Sequence, residues 1–357
     1  VAKRDEGMSK EEKLKRMNEA LSKVQKRFGK DTVKLASDDS FSDIDWWELS
    51  SPNLSDLMGK GLPKGRIVEL FGAESSGKSS VAQYLAGEVQ RQGGLVAYID
   101  MENAVEPSWG KTLGFNLEEA IIAFPNTQED ALDLITDLVE AKAVDLIILD
   151  SVASMVPNAE LSGESISEAQ MGLAARNNNK FLRKIVGPLS KNNITLLAIN
   201  QIREKIAGFI MGENVQVPGG LGWRFASSIR LQSYKKETLI SGGEPNGILT
   251  RIKSKKNKVG IPFRDTLMKL IYHKGFQVEE EWIDFAVKYG VIEKGGSWFT
   301  LPNLKDKLQG KERVIAYLKA NPDDFSKIKE STKLFMTKNK PIEDTEIKEE
   351  EVDPETD

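Results

Sequence analysis

The sequence has no cysteine and a single histidine, His273, in 357 residues. The first absence removes disulfides, thiolate metal sites and cysteine nucleophiles together. The second rules out a His-rich metal cluster and argues against a Ser-His-Asp triad. His273 itself lies in a strand-like run, LMKLIYH, where a packed or surface histidine is expected. No apolar run is long enough to span a bilayer and no signal peptide is recognisable, so the expected setting is the cytoplasm, with no membrane partner. The chemistry must therefore come from Lys, Asp, Glu, Ser, Thr and backbone groups.

Positive charge is also lacking overall, since the net formal charge is −4. Its location matters more than its sum. Residues Pro341–Asp357 hold nine acids against one lysine, a composition that cannot bury enough apolar surface to fold. Residues 339–357 are expected to form an acidic disordered tail, serving either solubility or the screening of a basic surface. The remaining body is slightly basic, which permits DNA binding without demanding it.

What is present is a repeating strand–helix pattern. Leu14, Met17, Leu21, Val24 and Phe28 recur at the spacing of one helical face and Gly29 follows them, predicting a helix over 11–28. A short strand is expected at 32–36, so that residues 1–40 form a helix–strand arm needing another surface, in this chain or a neighbouring subunit. Strands are expected at 66–71, 95–100, 120–124, 144–150 and 194–200, with helices at about 77–92, 127–143 and 169–190. Near-continuous apolar strands alternating with helices indicate an α/β core with a mostly parallel sheet covered on both faces. Beyond Ser227 strands follow without intervening helices, an antiparallel extension. The core is expected to span 41–275, and 276–338 to form a small C-terminal α+β domain with a hairpin near Gly295–Gly296.

Gly72-Ala73-Glu74-Ser75-Ser76-Gly77-Lys78-Ser79 fits G-x-x-x-x-G-K-[ST] without a gap, with Ser80 next. Its glycines let backbone N–H groups turn toward phosphate, and the helix that follows adds the positive end of its dipole. Lys78 is expected to neutralise β- and γ-phosphates, and the Ser79 hydroxyl to meet magnesium. Asp150, ending the strand VDLIILD, is the candidate second magnesium group. Glu102, two residues past LVAYID, lies where ligands bind at strand C-termini and is the candidate that orients the attacking water. Asp100, closer to the strand, is expected to support it.

With these residues in hand, the chain resembles the bacterial RecA recombinase family. FGAESSGKSS, AYIDMENAVEP, VDLIILDSVASMVP, AQMGLAAR and AINQIR follow one another as the family's segments do. The resemblance implies a RecA-type core and an ATP- and Mg2+-dependent filament, a homo-oligomer on single-stranded DNA. Such a filament pairs its strand with homologous double-stranded DNA, exchanges strands, and works with accessory recombination proteins. It also implies that Glu102 activates water, that Glu106 and Trp109 flank adenine, and that Gln201 senses the γ-phosphate. Lys256 and Lys258 would reach the next subunit's ATP. In the strand RIKSKKNK, alternation puts Arg251, Lys253 and Lys255 on one side and Lys256 and Lys258 on the other.

DNA contact is expected on two loops. Residues 157–169 are polar and acidic. Residues 202–220 form a long loop with cations beside apolar side chains, suited to phosphate contact and insertion between bases. Lys205, Ile206 and Phe209 are its candidates, together with Arg203. The resemblance adds Met171, Arg176, Arg183, Gly219 and Gly220. Three departures from the family stand out: the run GENVQVPGGLGW, Asn103, and the polar run Asn177-Asn178-Asn179. Two rival readings stay open. One is a ring helicase on the same fold; the other is an ATP-binding filament that coats DNA without useful turnover.

Overall fold

The computed structural model describes residues 8–29, 33, 35, 44–162, 172–204, 215–216, 218–302 and 304–338. The expected acidic tail lies outside these residues, as does all of the expected 32–36 strand except residues 33 and 35. The chain divides into two compact units, Val1–Asp45 and Trp46–Asp357.

The first unit is built on α1, Lys10–Phe28. Ser9 and Glu12 close its N-terminus reciprocally: the Glu12 N–H donates to Ser9 Oγ at 3.2 Å and the Ser9 N–H to Glu12 Oε2 at 2.9 Å. Gly29 ends it. None of its residues is buried, and Leu14, Met17, Val24 and Phe28 on its apolar stripe are exposed.

The second unit is organised by a nine-stranded sheet. Its strands in chain order are β1 (Ile67–Gly72), β2 (Val96–Asp100), β3 (Ala120–Ala123), β4 (Leu146–Asp150), β5 (Thr195–Gln201), β6 (Ile229–Ser241), β7 (Glu244–Asn257), β8 (Asp265–Ile271) and β9 (Gly275–Phe276). Their spatial order is β9-β8-β7-β6-β1-β5-β4-β2-β3. Strands β6 to β3 in that order run parallel, and β7, β8 and β9 add an antiparallel meander.

Side-chain alternation decides which helix each strand residue meets. In β4, Leu146 and Ile148 join the cluster containing Val81 and Leu85 of α2, Lys78–Gln90. Ile147 and Leu149 join the opposite cluster. That cluster includes Ile135 and Val139 of α3, Gln128–Ala141, and Ile185 and Leu189 of α4, Leu173–Asn192. Burial of each such aliphatic side chain contributes about 1.5–3 kcal/mol. Two-sided covering is why these strands read as continuous apolar runs. Thr127 caps α3 as expected, accepting the Asp130 N–H at 3.0 Å.

Two expectations need correcting. His273 is not in a strand: β8 ends at Ile271, and His273 sits in the following turn with φ 62°. The simple alternation along RIKSKKNK also fails. Arg230 of β6 faces Lys256, but Leu231 faces Ser254, so Lys255 is an extra residue at a bulge. The bulge resets the phase. Asn257, rather than Lys256, continues the buried row of Ile252 and Ser254.

The C-terminal part of this unit has its own core of Ile283, Ile292, Phe299, Leu301, Val314, Leu318 and Ile328. It comprises α5 (Val278–Lys288), a small three-stranded sheet (Glu293–Gly295, Trp298–Thr300, Leu308–Gln309), α6 (Lys311–Ala320) and α7 (Pro322–Lys338). It joins the main sheet's domain through Ser50 and Ser51. Trp282 Nε1 donates to Ser50 O at 2.8 Å, the Ser51 N–H donates to Tyr84 Oη at 3.0 Å, and Ser51 Oγ donates to Glu281. Burial pushes the Glu281 carboxyl up to about 8, against the opposing hydrogen bonds from Ser51 and the Asn53 backbone; Asp284 and Glu280 raise it further.

The folded chain thus keeps a proton on Glu281 that the unfolded chain releases near 4.5. Stability gained from the neutral acid is present below about pH 4.5 and is lost as pH rises toward 8. Glu281→Gln should flatten the fall in urea midpoint between pH 5 and 8. A variant with the wild-type slope would reject Glu281 as its source.

Candidate nucleotide and DNA site

The phosphate-loop sequence lies at the C-terminal end of β1, where the chain turns from strand to helix. Two contacts fix that turn. A Cβ on Gly72 would lie 2.2 Å from Ser233 O, and Gly77 takes φ 86° with Thr250 Oγ1 3.1 Å from where its Cβ would be. Ser233 Oγ donates to Ser76 O at 2.7 Å and Thr250 Oγ1 to the same oxygen at 3.3 Å, so strands β6 and β7 grip the loop from behind. Ser76 Oγ donates to Ala73 O at 2.8 Å, while Ala73, Glu74 and Ser75 face outward.

Lys78 opens α2, whose N-terminus carries no side-chain cap. First-turn N–H groups without a capping side chain make an anion site with the helix dipole behind it. The Lys78 ammonium donates to Ala73 O at 2.7 Å. Burial lowers its pKa, while Asp150, Glu102 and Glu74 act in the opposite sense. A buried cation at an uncapped helix N-terminus is suited to an anion such as a polyphosphate, and carboxylates near it are suited to a divalent cation that would accompany it.

Asp150 ends β4 opposite Asp100 of β2. It is buried, which raises its pKa; hydrogen bonds from Tyr98 and Ser79 oppose that rise, and the Tyr98 hydroxyl donates to Oδ2 at 2.6 Å. Asp100 is fully occupied with backbone. Its carboxylate accepts the N–H groups of Glu102 at 3.0 Å, Ala104 at 2.8 Å and Val105 at 2.9 Å, shaping the loop that presents Glu102. Glu102 is exposed, and its Oε1 accepts from Ser151 Oγ at 2.6 Å, Ser154 Oγ at 2.9 Å and Gln201 Nε2 at 2.8 Å. The structure therefore brings Lys78, Ser79, Asp150, Glu102 and Gln201 to one edge of the sheet.

Glu106 caps the short helix Pro107–Thr112, accepting from Ser108 Oγ at 2.6 Å, the Ser108 N–H at 3.0 Å and the Trp109 N–H at 2.6 Å. These bonds, the Ser108 hydroxyl first, hold its carboxyl below the ordinary value. Trp109 Nε1 donates to Ser80 Oγ at 3.2 Å, which sets the indole beside the first turn of α2.

Lys256 and Lys258 do not join this cluster. Lys256 Nζ donates to Arg224 O at 2.7 Å and Phe225 O at 3.1 Å, at the end of the short helix Leu221–Ala226. Burial first, then Lys258 and Arg230, bring its pKa down to about 8. Arg230 is itself paired with buried Glu69 and lies over the Phe71 ring at 4.5 Å. Lys258 is exposed.

Of the expected DNA residues, Arg176 and Arg183 are exposed on one face of α4, seven residues apart. Arg183 Nε donates to Asn179 O at 3.2 Å. Arg203 belongs to a short antiparallel pair, Arg203–Glu204 with Val215–Gln216, at the base of the second loop. Gly219 and Gly220 end that loop with φ 87° and 82°. Met171, Lys205, Ile206 and Phe209 lie outside the described residues. The first loop opens with a helical turn, Asn158–Leu161, and α4 starts at Leu173 rather than 169.

Sequence reasoning missed Tyr98 and Ser154. Tyr98 shares a strand face with Asp100, two residues away, so period-2 counting could have marked it. Ser154 is brought back by a single helical turn, Val152–Ser154, that leaves no periodic trace.

The fold and this edge define a P-loop nucleotide-binding α/β protein. Its relatives narrow the class. The RecA N-terminal domain family matches residues 15–277 and the RecA C-terminal domain family residues 280–343. The Protein RecA of Fusobacterium nucleatum subsp. nucleatum is 41% identical over 330 residues, 92% of this chain and 86% of that protein. That of Chloroherpeton thalassium is 41% identical over 321 residues, 89% of each. That of Clostridium botulinum is 38% identical over 338 residues, 94% of each. The chain belongs to the RecA family, whose members are DNA-dependent ATPases of homologous recombination. Among the described residues no helix is long and apolar enough to cross a membrane.

Proposed function

We propose that the chain binds ATP with Mg2+, assembles as a helical filament on single-stranded DNA in the cytoplasm, pairs it with homologous duplex, and hydrolyses ATP in response to DNA. The observation that carries this reading is the hydrogen bond from Gln201 to Glu102. It joins the residue two before the Arg203–Glu204 ladder, at the stem of the second loop, to the carboxylate beside the phosphate loop.

In this reading residues Gly72 to Ser80 hold the phosphates and Lys78 neutralises them. Ser79 and Asp150 hold Mg2+, which is bound through few protein groups and the phosphates themselves. The bound cation supplies Lewis-acid charge stabilisation. Trp109 supplies a flat apolar wall for the base, with Glu106 fixing its helix. Glu102 orients and polarises the attacking water once Gln201 releases or redirects its Oε1. Arg176, Arg183, Arg203, Lys205, Ile206, Phe209, Met171, Gly219 and Gly220 are assigned to DNA. Lys256 and Lys258 serve a neighbouring protomer's nucleotide. Accessory recombination proteins would act on the filament.

The first test is ATP turnover with and without single-stranded DNA over a range of protein concentrations. Stimulation that rises cooperatively is expected, and turnover indifferent to both variables would remove the filament reading. Lys78→Ala should abolish ATP-dependent DNA binding; normal filaments by electron microscopy would sink the assigned phosphate site. For Glu102→Gln the expectation is DNA and ATP binding retained with turnover down roughly 10²–10⁴-fold, and near-normal turnover would reject its role. Lys256→Ala with Lys258→Ala should lose DNA stimulation while each chain still binds nucleotide; unchanged stimulation would argue against the interface lysines.

A further inference from the structure

The run Asn177-Asn178-Asn179 enters α4 where a core-facing helix would ordinarily carry an apolar side chain. Asn178 is 1% exposed, and a buried amide must find partners on both of its ends. It does so across the fold. Asn178 Nδ2 donates to Gly219 O at 3.2 Å, the last turn of the second loop, and its Oδ1 accepts from Gln128 Nε2 at 3.1 Å.

Gln128, fully buried at the start of α3, is the hub of this network. Its Nε2 also donates to Ala174 O at 3.1 Å, and its backbone N–H to Val156 O at 2.8 Å. Asn177 Nδ2 donates to Gln128 Oε1 at 3.0 Å and Glu129 Oε1 at 2.9 Å, and Glu129 Oε2 accepts the Asn158 N–H at 2.8 Å. Val156 and Asn158 lead into the first loop, Ala174 follows it, and Gly219 closes the second. One polar network therefore holds both anchors of one loop and the exit of the other.

The neighbouring glycines approach side chains of these segments closely. A Cβ on Gly219 would lie 2.7 Å from Val152 Cγ1, and one on Gly222 would lie 2.2 Å from Asn179 Oδ1. The helix after the second loop is thus seated directly on the asparagine run, and Gly219 on the segment after Asp150.

We propose that Asn178, with Asn177 and Gln128, is a positioning element that locks the exit of the second DNA loop to the anchors of the first, so that both meet DNA in one register. The coupling rests on the assignment of these loops to DNA; the clamp itself does not. The hydrogen bonds of both asparagines go to Gln128, Glu129 and Gly219, none of them assigned to nucleotide. Their effect is expected in the apparent affinity for DNA, with chemistry unchanged.

The test uses the full chain with Asn178→Leu, similar in size, and Asn178→Ser, which leaves helix packing least disturbed. Hydrogen exchange of amides in 219–226, without DNA, should speed up about tenfold, the equivalent of one lost hydrogen bond, while amides of α2 stay at the wild-type rate. The single-stranded DNA concentration giving half-maximal ATP turnover should rise by a similar factor, with unstimulated and maximal turnover unchanged. Wild-type exchange in both variants, or acceleration spread equally over α2, would overturn the clamp. Local acceleration with unchanged half-saturation would overturn the coupling to DNA. Wild-type turnover indifferent to DNA would overturn the loop assignment instead, and the exchange rates would still decide the clamp.

Discussion

Glu102 Oε1 accepts hydrogen bonds from Ser151, Ser154 and Gln201, and much of the molecule is arranged to make that convergence. Asp100 spends its carboxylate on three backbone N–H groups to project Glu102 from β2. The turn after Asp150 returns Ser154 to the same oxygen, and β5 ends at Gln201 beside them. On the proposed reading, this exposed carboxylate with three donors acts as a reversible latch. Each bond is worth only about 0.5–1.5 kcal/mol net, more when charged. A phosphate or a loop movement that competes for one donor can therefore redistribute the others.

The latch works only because its supports are stiff. Strands β1, β4 and β5 are buried on both faces, and the phosphate loop is gripped from behind by Ser233 and Thr250. Ser233 lies in register with Gly72 across β6 and β1. Displacing the loop would break those contacts, so on the proposed reading charge brought by phosphate acts on side chains rather than on the frame.

The fold was legible where one physical rule acted alone. Apolar runs announced the parallel strands because both faces are covered, and Thr127 and Gly29 marked helix ends through their caps. The strand-to-helix turn at Lys78 was legible because G-x-x-x-x-G-K-[ST] has fixed spacing, and the strand ending at Asp150 because its apolar run stops there. Legibility ended where tertiary contacts decide. The bulge at Lys255 depends on how β7 meets β6, so alternation along RIKSKKNK misassigned Lys256. Asn178 looked like a departure in DNA engagement because nothing in sequence shows that Gln128 and Gly219, 50 and 41 residues away, turn their polar atoms to it. Arg230 gave no sign of its buried partner Glu69 for the same reason.

The position of Lys256 carries an argument about assembly. Along β7, Thr250 touches the phosphate loop, and Lys256 lies six residues further on, past the bulge at Lys255, roughly 15–20 Å of strand, beside Arg230 and Glu69 and away from the strand ends where the phosphate loop lies. A lysine side chain does not span that gap within one chain. Its lowered pKa reflects burial first and then two neighbouring cations, a local concentration of positive charge that Glu69 opposes. An anion brought by another protomer would relieve that excess, and the charge it meets is already anchored to the helix that follows the second loop through Arg224 O and Phe225 O. On the proposed reading, nucleotide at one protomer and the DNA loop of the next are thereby joined through a single ammonium group, which is why turnover should depend on assembly rather than on the isolated chain.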